Sequence, residues 1–355
     1  MIYPYKYLSN DIENLHKYIE YFFEEMYKRK TKKFSQIVIH TNFLALVKAQ
    51  DKLLLTPMKA IYTEFKKLDD PSQKRILDAF KINNAISDLC NGKRDPWKYN
   101  QLSKISPSLS NVIKLFFSNL YKEVINKEIF PSKKSHFIKF RSLNKANIMC
   151  PFCGLTSLLS EYDGKDNKKD DYDHWLSKGK YPFNSVNFKN LVPMCGQCNQ
   201  KYKQQKDTLY EKDKGNKWKR RRVFYPYSKS IILNSVTVTI NKRVSSLEKD
   251  DTWAVNLQGA VVQSEQINSW DKIFDIKSRY KNRIKQRYKT SWHEHVRKLY
   301  KDKKKNLGFD FNKFKLDIYK GIKASNLEES AIIEKAYYDY LFTDPDCEKN
   351  LKAMG

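Results

Sequence analysis

The chain has 355 residues, 40% of them hydrophobic, which is enough for a sizeable core and for two or three domains. Lys and Arg outnumber Asp and Glu by 68 to 40, a formal net charge of +28 that folding does not require. Such an excess points to a polyanionic partner, nucleic acid ahead of an anionic membrane surface. No apolar run approaches the ~18–20 residues of a membrane span, and the start Met1-Ile2-Tyr3-Pro4-Tyr5-Lys6 has no signal-peptide core. A cytoplasmic protein with no membrane partner is expected, its cysteines reduced.

Residues 1–144 read as a helical region. Asn10–Tyr27 carries Ile12, Leu15, Ile19, Phe22 and Phe23 at helical spacing. Asp70-Pro71 predicts a helix start, with Asp70 as N-cap and Pro71 at the first position. Ile76, Phe80, Ile82, Ile86 and Leu89 then mark one buried face, and Asn91-Gly92 a stop. Ser108–Ile129 repeats the pattern through Val112, Leu115, Phe116 and Leu120. These stripes are core positions without chemistry, and the region is a candidate docking surface for a regulatory protein.

Residues 145–205 change character, gathering Cys, Gly, Pro, Asp and Asn, with a polar loop expected at 164–171. Four of the six cysteines form two C-x-x-C pairs, Cys150/Cys153 and Cys195/Cys198, separated by 41 residues. Each pair is a tight knuckle presenting two thiolates, and two knuckles complete a tetrahedral zinc site with no open position, hence a structural one. Cys90 and Cys347 stand alone as inert thiols. Between the knuckles lies Asp173-His174. Asn190-Leu191-Val192-Pro193 leads into the second knuckle, and Asn199 follows its last cysteine, at the start of a helix that continues with Lys201 and Lys203. Zinc ties that helix to the segment bearing Asp173 and His174, so the two can meet in one cleft.

Residues 206–355 read as a basic strand-and-helix region. Lys217, Lys219, Arg220, Arg221 and Arg222, interrupted by Trp218, form the densest basic run and are candidate phosphate contacts. Ser230–Asn241 and Thr252–Val262 alternate like two strands, of a hairpin or a small sheet. One long helix is expected next. Trp270, Ile273, Ile276, Tyr280, Ile284, Tyr288, Trp292, Val296 and Tyr300 lie on its apolar stripe, with Lys277, Arg279, Lys281, Arg283, Lys285 and Arg287 on the other faces. Phe309–Phe342 is helical again. His293 and His295 are expected to be solvated or phosphate-facing, and His16, His40 and His136 incidental.

The run from Asp173-His174 through Asn190 to Cys195-Gly-Gln-Cys198-Asn199 resembles the HNH (ββα-metal) endonucleases. It is most similar to the endonuclease VII-like branch, with two zinc knuckles and Asn in place of the last His. Ser177 stands where Pro is common and Tyr202 where Lys is common, and the loop before Asp173 is long and acidic. The resemblance implies an α+β, mostly helical protein. A zinc-stapled ββα-metal module would lie between the helical N-terminal region and a basic C-terminal region of a small β element plus helices. It implies His174 as general base, suited by an imidazole pKa of ~6.5. Asp173 and Asn199 would be oxygen ligands to a catalytic Mg²⁺, or Mn²⁺. Asn190 would brace the loop that orients His174, and Lys201 and Lys203 would contact phosphates. Neighbours in a strand face opposite ways, so a bulge or turn is expected at Asp173-His174. The implied activity is phosphodiester hydrolysis, in DNA first, in an effector of bacterial anti-phage defence, with a homodimer suited to cutting two antiparallel strands. Two other readings stay open: a zinc-stapled nucleic-acid-binding module without catalysis, and an RNA-cleaving toxin using the same site.

Overall fold

The computed structural model describes residue 1 and residues 3–144, 149–158, 172–228, 236–242, 253–287, 291–324 and 330–353. The expected polar loop at 164–171, Tyr288 and the first residues of both expected hairpin strands lie outside these. The chain is mostly helical, and its described strands form three two-stranded antiparallel sheets.

The N-terminal helices follow from their apolar spacing. A 3-10 turn at Asp11–Glu13 enters α1 (Asn14–Lys28), and the Asn10 backbone N–H donates to the Glu13 carboxylate. Leu15, Ile19, Phe22, Phe23 and Met26 are then buried along one face. α2 (Thr41–Ala49) and α3 (Thr56–Lys66) precede α4 (Asp70–Asn84). The cap of α4 is Asp69 rather than Asp70: its carboxylate accepts the Ser72 N–H at 2.9 Å, and Asp70-Pro71 fills the first turn. The stripe expected to run through Leu89 breaks at Ala85, and Ile86 and Leu89 belong to a separate helix, α5 (Ile86–Cys90). Gly92 stops it in the left-handed region, φ 74°, where a Cβ would meet the Arg222 side chain at 3.3 Å. After α6 (Tyr99–Ile105), α7 (Pro107–Lys122) ends earlier than expected. It buries Leu109, Ile113, Phe116, Phe117 and Leu120, whereas Leu115 is 63% exposed, so its inner face is rotated from the expected one. α8 (Lys133–Leu143) closes the region.

The central segment is strand, strand, helical turn. β1 (Tyr172–His174) pairs antiparallel with β2 (Leu191–Pro193), Asp173 opposite Val192 and His174 opposite Leu191. A π-helical turn, Gln197–Lys203, follows. β3 (Tyr210–Lys212) and β4 (Trp218–Arg220) make a second ribbon. The third, β5 (Val236–Lys242) with β6 (Trp253–Gly259), is the hairpin that alternation predicts.

The expected long basic helix is three: α9 (Ser264–Phe274), α10 (Ile276–Arg287) and α11 (His293–Leu307). Asp275 ends the first in the left-handed conformation, φ 54°, its N–H on the Asp271 carbonyl; Asp tolerates this better than most residues. The stripe itself is buried from Trp270 to Tyr300 wherever it is described. α12 (Phe311–Ala324), α13 (Ala331–Phe342) and α14 (Cys347–Ala353) complete the chain.

Two hydrophobic cores result, and the central segment joins both. Tyr172, Phe183, Val186, Phe188 and Leu191 pack into the core of the N-terminal helices. Val192, Met194 and all four knuckle cysteines pack into a second core with Tyr3, Tyr5, Ile86, Leu89 and the C-terminal helices. The alternation of Leu191 and Val192 along β2 places their side chains in different cores.

Candidate functional site

The four cysteines of the two knuckles converge. All are buried, and their sulfurs lie within 4.8 Å of one another, Cys153 and Cys195 at 3.9 Å. Tetrahedral zinc with Zn–S bonds of ~2.3 Å needs sulfurs about 3.8 Å apart, so the cluster is compatible with a structural zinc ion. The first knuckle turns by Cys153 and Gly154 N–H groups donating to the Cys150 carbonyl, with Gly154 at φ 64°. Burial pushes the Cys150 and Cys198 thiols up, while bonds from Cys150 and the other thiols hold Cys153 down. Four thiolates this close repel one another unless a cation compensates them.

A buried cation lies beside the cluster, at a position the sequence places only off the apolar stripe. Arg279 is buried, and its Nη1 donates to Cys198 Sγ at 3.4 Å and to the Phe274 carbonyl at 3.4 Å. Its guanidinium lies 4.1 Å from the centroid of the Tyr202 ring. The i,i+3/i+4 stripe it borders already faces the core, so a neighbouring position can reach inward; only the knuckle opposite it explains a cation there. Three further donors bind the first knuckle to the C-terminal helices. Trp270 Nε1 donates to the Phe152 carbonyl at 2.7 Å, Tyr280 Oη to Cys153 at 2.9 Å, and the Ser330 N–H to Gly154 at 2.8 Å.

His174 is buried on the opposite side of β1. Its ring meets Tyr121 edge-on, centroids 4.4 Å apart, and its Nε2 lies 2.8 Å from the Ser185 carbonyl. A carbonyl only accepts, so Nε2 carries the proton and donates it, which leaves the Nδ1 lone pair as the basic position of the neutral ring. Burial, with Lys178, Lys203 and Lys133 nearby, lowers its pKa to about 3. The ring is therefore neutral well below pH 6.5, and the expected titration near neutrality is corrected for the free protein. Ser185 is itself fixed, its Oγ donating to the Phe117 carbonyl at 2.6 Å. Two residues earlier, Phe183 holds a left-handed φ of 77° while its ring packs among Phe23, Phe80 and Phe117. A strained backbone kept by surrounding rings is a mark of a positioned loop.

Asn190 is buried and bonded to the turn after His174. Its Oδ1 accepts the Leu176 N–H at 2.7 Å and its Nδ2 donates to the Leu176 carbonyl at 3.0 Å. Asn199 sits half-buried in the π-helical turn, its N–H on the Cys195 carbonyl at 3.0 Å.

Asp173 and Lys203 depart from expectation. β1 pairs in register through His174 and turns only afterwards, so no bulge exists at Asp173-His174 and the two side chains leave opposite faces. Lys203 is 2% exposed and does not reach solvent phosphates. Its ammonium lies 2.5 Å from the Asp173 carboxylate and donates to the His174 carbonyl at 2.9 Å. Burial raises the Asp173 pKa, with Lys203 opposing the shift. Lys201, by contrast, is exposed.

The basic run divides likewise. Arg221 is buried, donating to the Thr208 carbonyl at 3.0 Å and the Asp207 carbonyl, and paired with Glu211. Arg220 is half-buried, reaching the Leu209 and Leu89 carbonyls, so it links the β3–β4 ribbon to α5. Only Lys217, Lys219 and Arg222 are exposed, beside Trp218 at 58%. Among the histidines, His136 is structural rather than incidental: it donates to the Leu8 carbonyl and accepts from the Tyr172 hydroxyl. His40 caps α2 by accepting the Asn42 N–H.

No protein-family model matches the chain, and no curated protein or solved structure matches it either.

Proposed function

We propose that the chain is a metal-dependent phosphodiesterase of the HNH type acting on nucleic acid, DNA first. The observation that carries this reading is His174: a buried, neutral imidazole, oriented through Nε2 by the Ser185 carbonyl, with a free lone pair on Nδ1. It ends a strand tied by Asn190 and Lys203 to a segment that leads into a four-cysteine cluster. The Ser185 carbonyl fixes the tautomer that leaves Nδ1 as the basic atom, and an anionic phosphate brought beside the ring would raise the pKa that burial holds down, toward the range a general base needs.

Asp173 and Asn199 are the residues that would hold Mg²⁺ or Mn²⁺. Both offer oxygen donors, the type a hard cation requires, and an ion on Asp173 Oδ2 would have to displace the Lys203 ammonium that engages that oxygen in this structure. When bound, such an ion neutralises charge on the phosphate and on the leaving oxygen. Because Asp173 and His174 leave opposite faces of β1, the two serve one phosphate only once the backbone turns at that pair; His174 Nδ1 would then accept the proton of the attacking water, with Ser185 holding the ring and Asn190 the turn after it. The exposed Lys201, Lys217, Lys219 and Arg222 add affinity without sequence information. A role as an anti-phage effector, restrained by a protein docked on residues 1–144 or working as a homodimer, extends this reading.

Supercoiled plasmid and a labelled RNA, each incubated with the full chain plus and minus Mg²⁺ or Mn²⁺, test it. Metal-dependent nicking or linearisation of plasmid is expected. Cleavage of RNA alone selects the RNA-cleaving reading, and binding without cleavage of either selects the non-catalytic module.

A further inference from the structure

The face of His174 turned away from the cysteines carries a group of lysines that the mechanism above does not use. Lys133 opens α8, Lys178 lies in the loop after β1, and Lys122 ends α7. The Lys178 ammonium is 4.3 Å from the centroid of the Tyr121 ring, the Lys133 ammonium 4.8 Å from it, and the His174 ring 4.4 Å. Two successive helices, α7 and α8, and the end of β1 with its following loop thus bring two ammonium groups and an imidazole around one phenol ring.

No acid among the described residues forms an ion pair with Lys122, Lys133 or Lys178. Lys133 and Lys178 are both half-buried, so water screens their repulsion incompletely. Burial, then Lys122 and Lys133, lowers the Lys178 pKa. The ring face of Tyr121 attracts cations but carries no net charge. Elsewhere the same protein pairs its buried cations: Lys203 with Asp173, and Arg221 with Glu211. Like charges gathered without such a partner fit an anion that arrives from outside.

We propose that Lys133 and Lys178, arranged about Tyr121 and reinforced by Lys122, form a phosphate-binding subsite that takes a phosphodiester of a nucleic-acid strand beside His174. Ammonium groups are compact point charges with several donors, suited to a phosphate whose orientation varies along a strand. The subsite deepens the nuclease reading and rests on it: it gives the N-terminal helices a direct part in holding substrate, beside the ring that packs against His174.

Fluorescence anisotropy with a fluorescein-labelled 16-base-pair DNA duplex, titrated across a NaCl series without added Mg²⁺, tests the subsite. The full-length K133A/K178A chain is expected to bind more weakly, with the slope of log affinity against log salt flattened by about two units. K133R/K178R should keep the slope. Unchanged zinc content and thermal midpoint show that the variants are folded. An unchanged affinity and slope in K133A/K178A overturns the subsite. Displacement of the duplex by inorganic phosphate at equal concentration also overturns it, assigning the lysines to a free anion. The flattened slope in a protein that cuts no nucleic acid upholds the subsite and removes the nuclease reading; cleavage with an unchanged slope does the reverse.

Discussion

At the scale of single residues, Lys203 and Asp173 carry the sharpest consequence. The pair is nearly dry on the lysine side, 2% exposed against 17% for the aspartate. Removing one partner of such a pair leaves a charge uncompensated, which costs about 3–5 kcal/mol when both are fully buried and somewhat less here. Lys203→Met is therefore expected to lower unfolding free energy by roughly 2–4 kcal/mol, and Asp173→Asn in the same chain to restore much of it. Urea denaturation of the two single variants and the double variant measures this; equal additive losses would show that the two groups do not interact. Histidines set a pH response. His174 and His16 are held at about 3 and about 4 by burial, whereas in the unfolded chain they protonate near 6.5. Their contribution to stability is complete above pH 6.5 and falls as pH drops from there toward the folded values, because the unfolded chain then binds protons that the folded chain refuses. Between pH 7.5 and 5.5 the loss is roughly 2–3 kcal/mol for the two together. His16→Gln should remove about half of it, and a stability that stays flat over that range contradicts the assignment.

Among the elements, the first cysteine knuckle is held by donors from α9, α10 and Ser330, and the cysteines pack in the same core as the C-terminal helices. Loss of the ion should thus loosen far more than residues 145–205. One zinc per chain is expected by metal analysis. Cys153→Ser should lose it and, with it, protection of the Trp270 and Tyr280 helices in hydrogen exchange. Arg279→Ala should keep the fold but release zinc faster to a chromogenic chelator, since a buried donor to the Cys198 sulfur is gone; release at the unsubstituted rate would make Arg279 a packing residue only. The knuckles, the hairpin and the apolar stripes were legible in the sequence because each rests on local spacing. What was not legible depends on long-range partners. Lys203 and Arg221 look like solvent lysines and arginines until Asp173, Glu211 and the Asp207 carbonyl are placed beside them. The break at Asp275 and the rotation of α7 are likewise decided by what packs opposite. Tyr121, Lys133 and Lys178 carry no motif and gather only through the meeting of α7, α8 and the loop after β1.

Over the whole molecule, a net charge of +28 is spread so that part of it is structural and part faces solvent. Replacing Lys217, Lys219 and Arg222 by Ala should weaken nucleic-acid binding alike for all sequences and flatten the salt slope by up to about one unit per lost phosphate contact. Arg221→Ala should instead destabilise the fold, because Arg221 holds the loop before β3. A salt slope unmoved by the triple substitution returns that ribbon to a solvated face. The two cores meet at β1 and β2, so the candidate site sits where the N-terminal helices and the knuckle region are joined. The central claim is that His174 removes a proton from the attacking water, and single-turnover cleavage of a labelled DNA duplex with Mg²⁺ by the unsubstituted chain and by His174→Ala tests it most directly. The account predicts a loss of about 10²–10⁴-fold in rate, with zinc content and duplex affinity unchanged and no recovery at higher Mg²⁺. Cleavage by His174→Ala at the unsubstituted rate would contradict it.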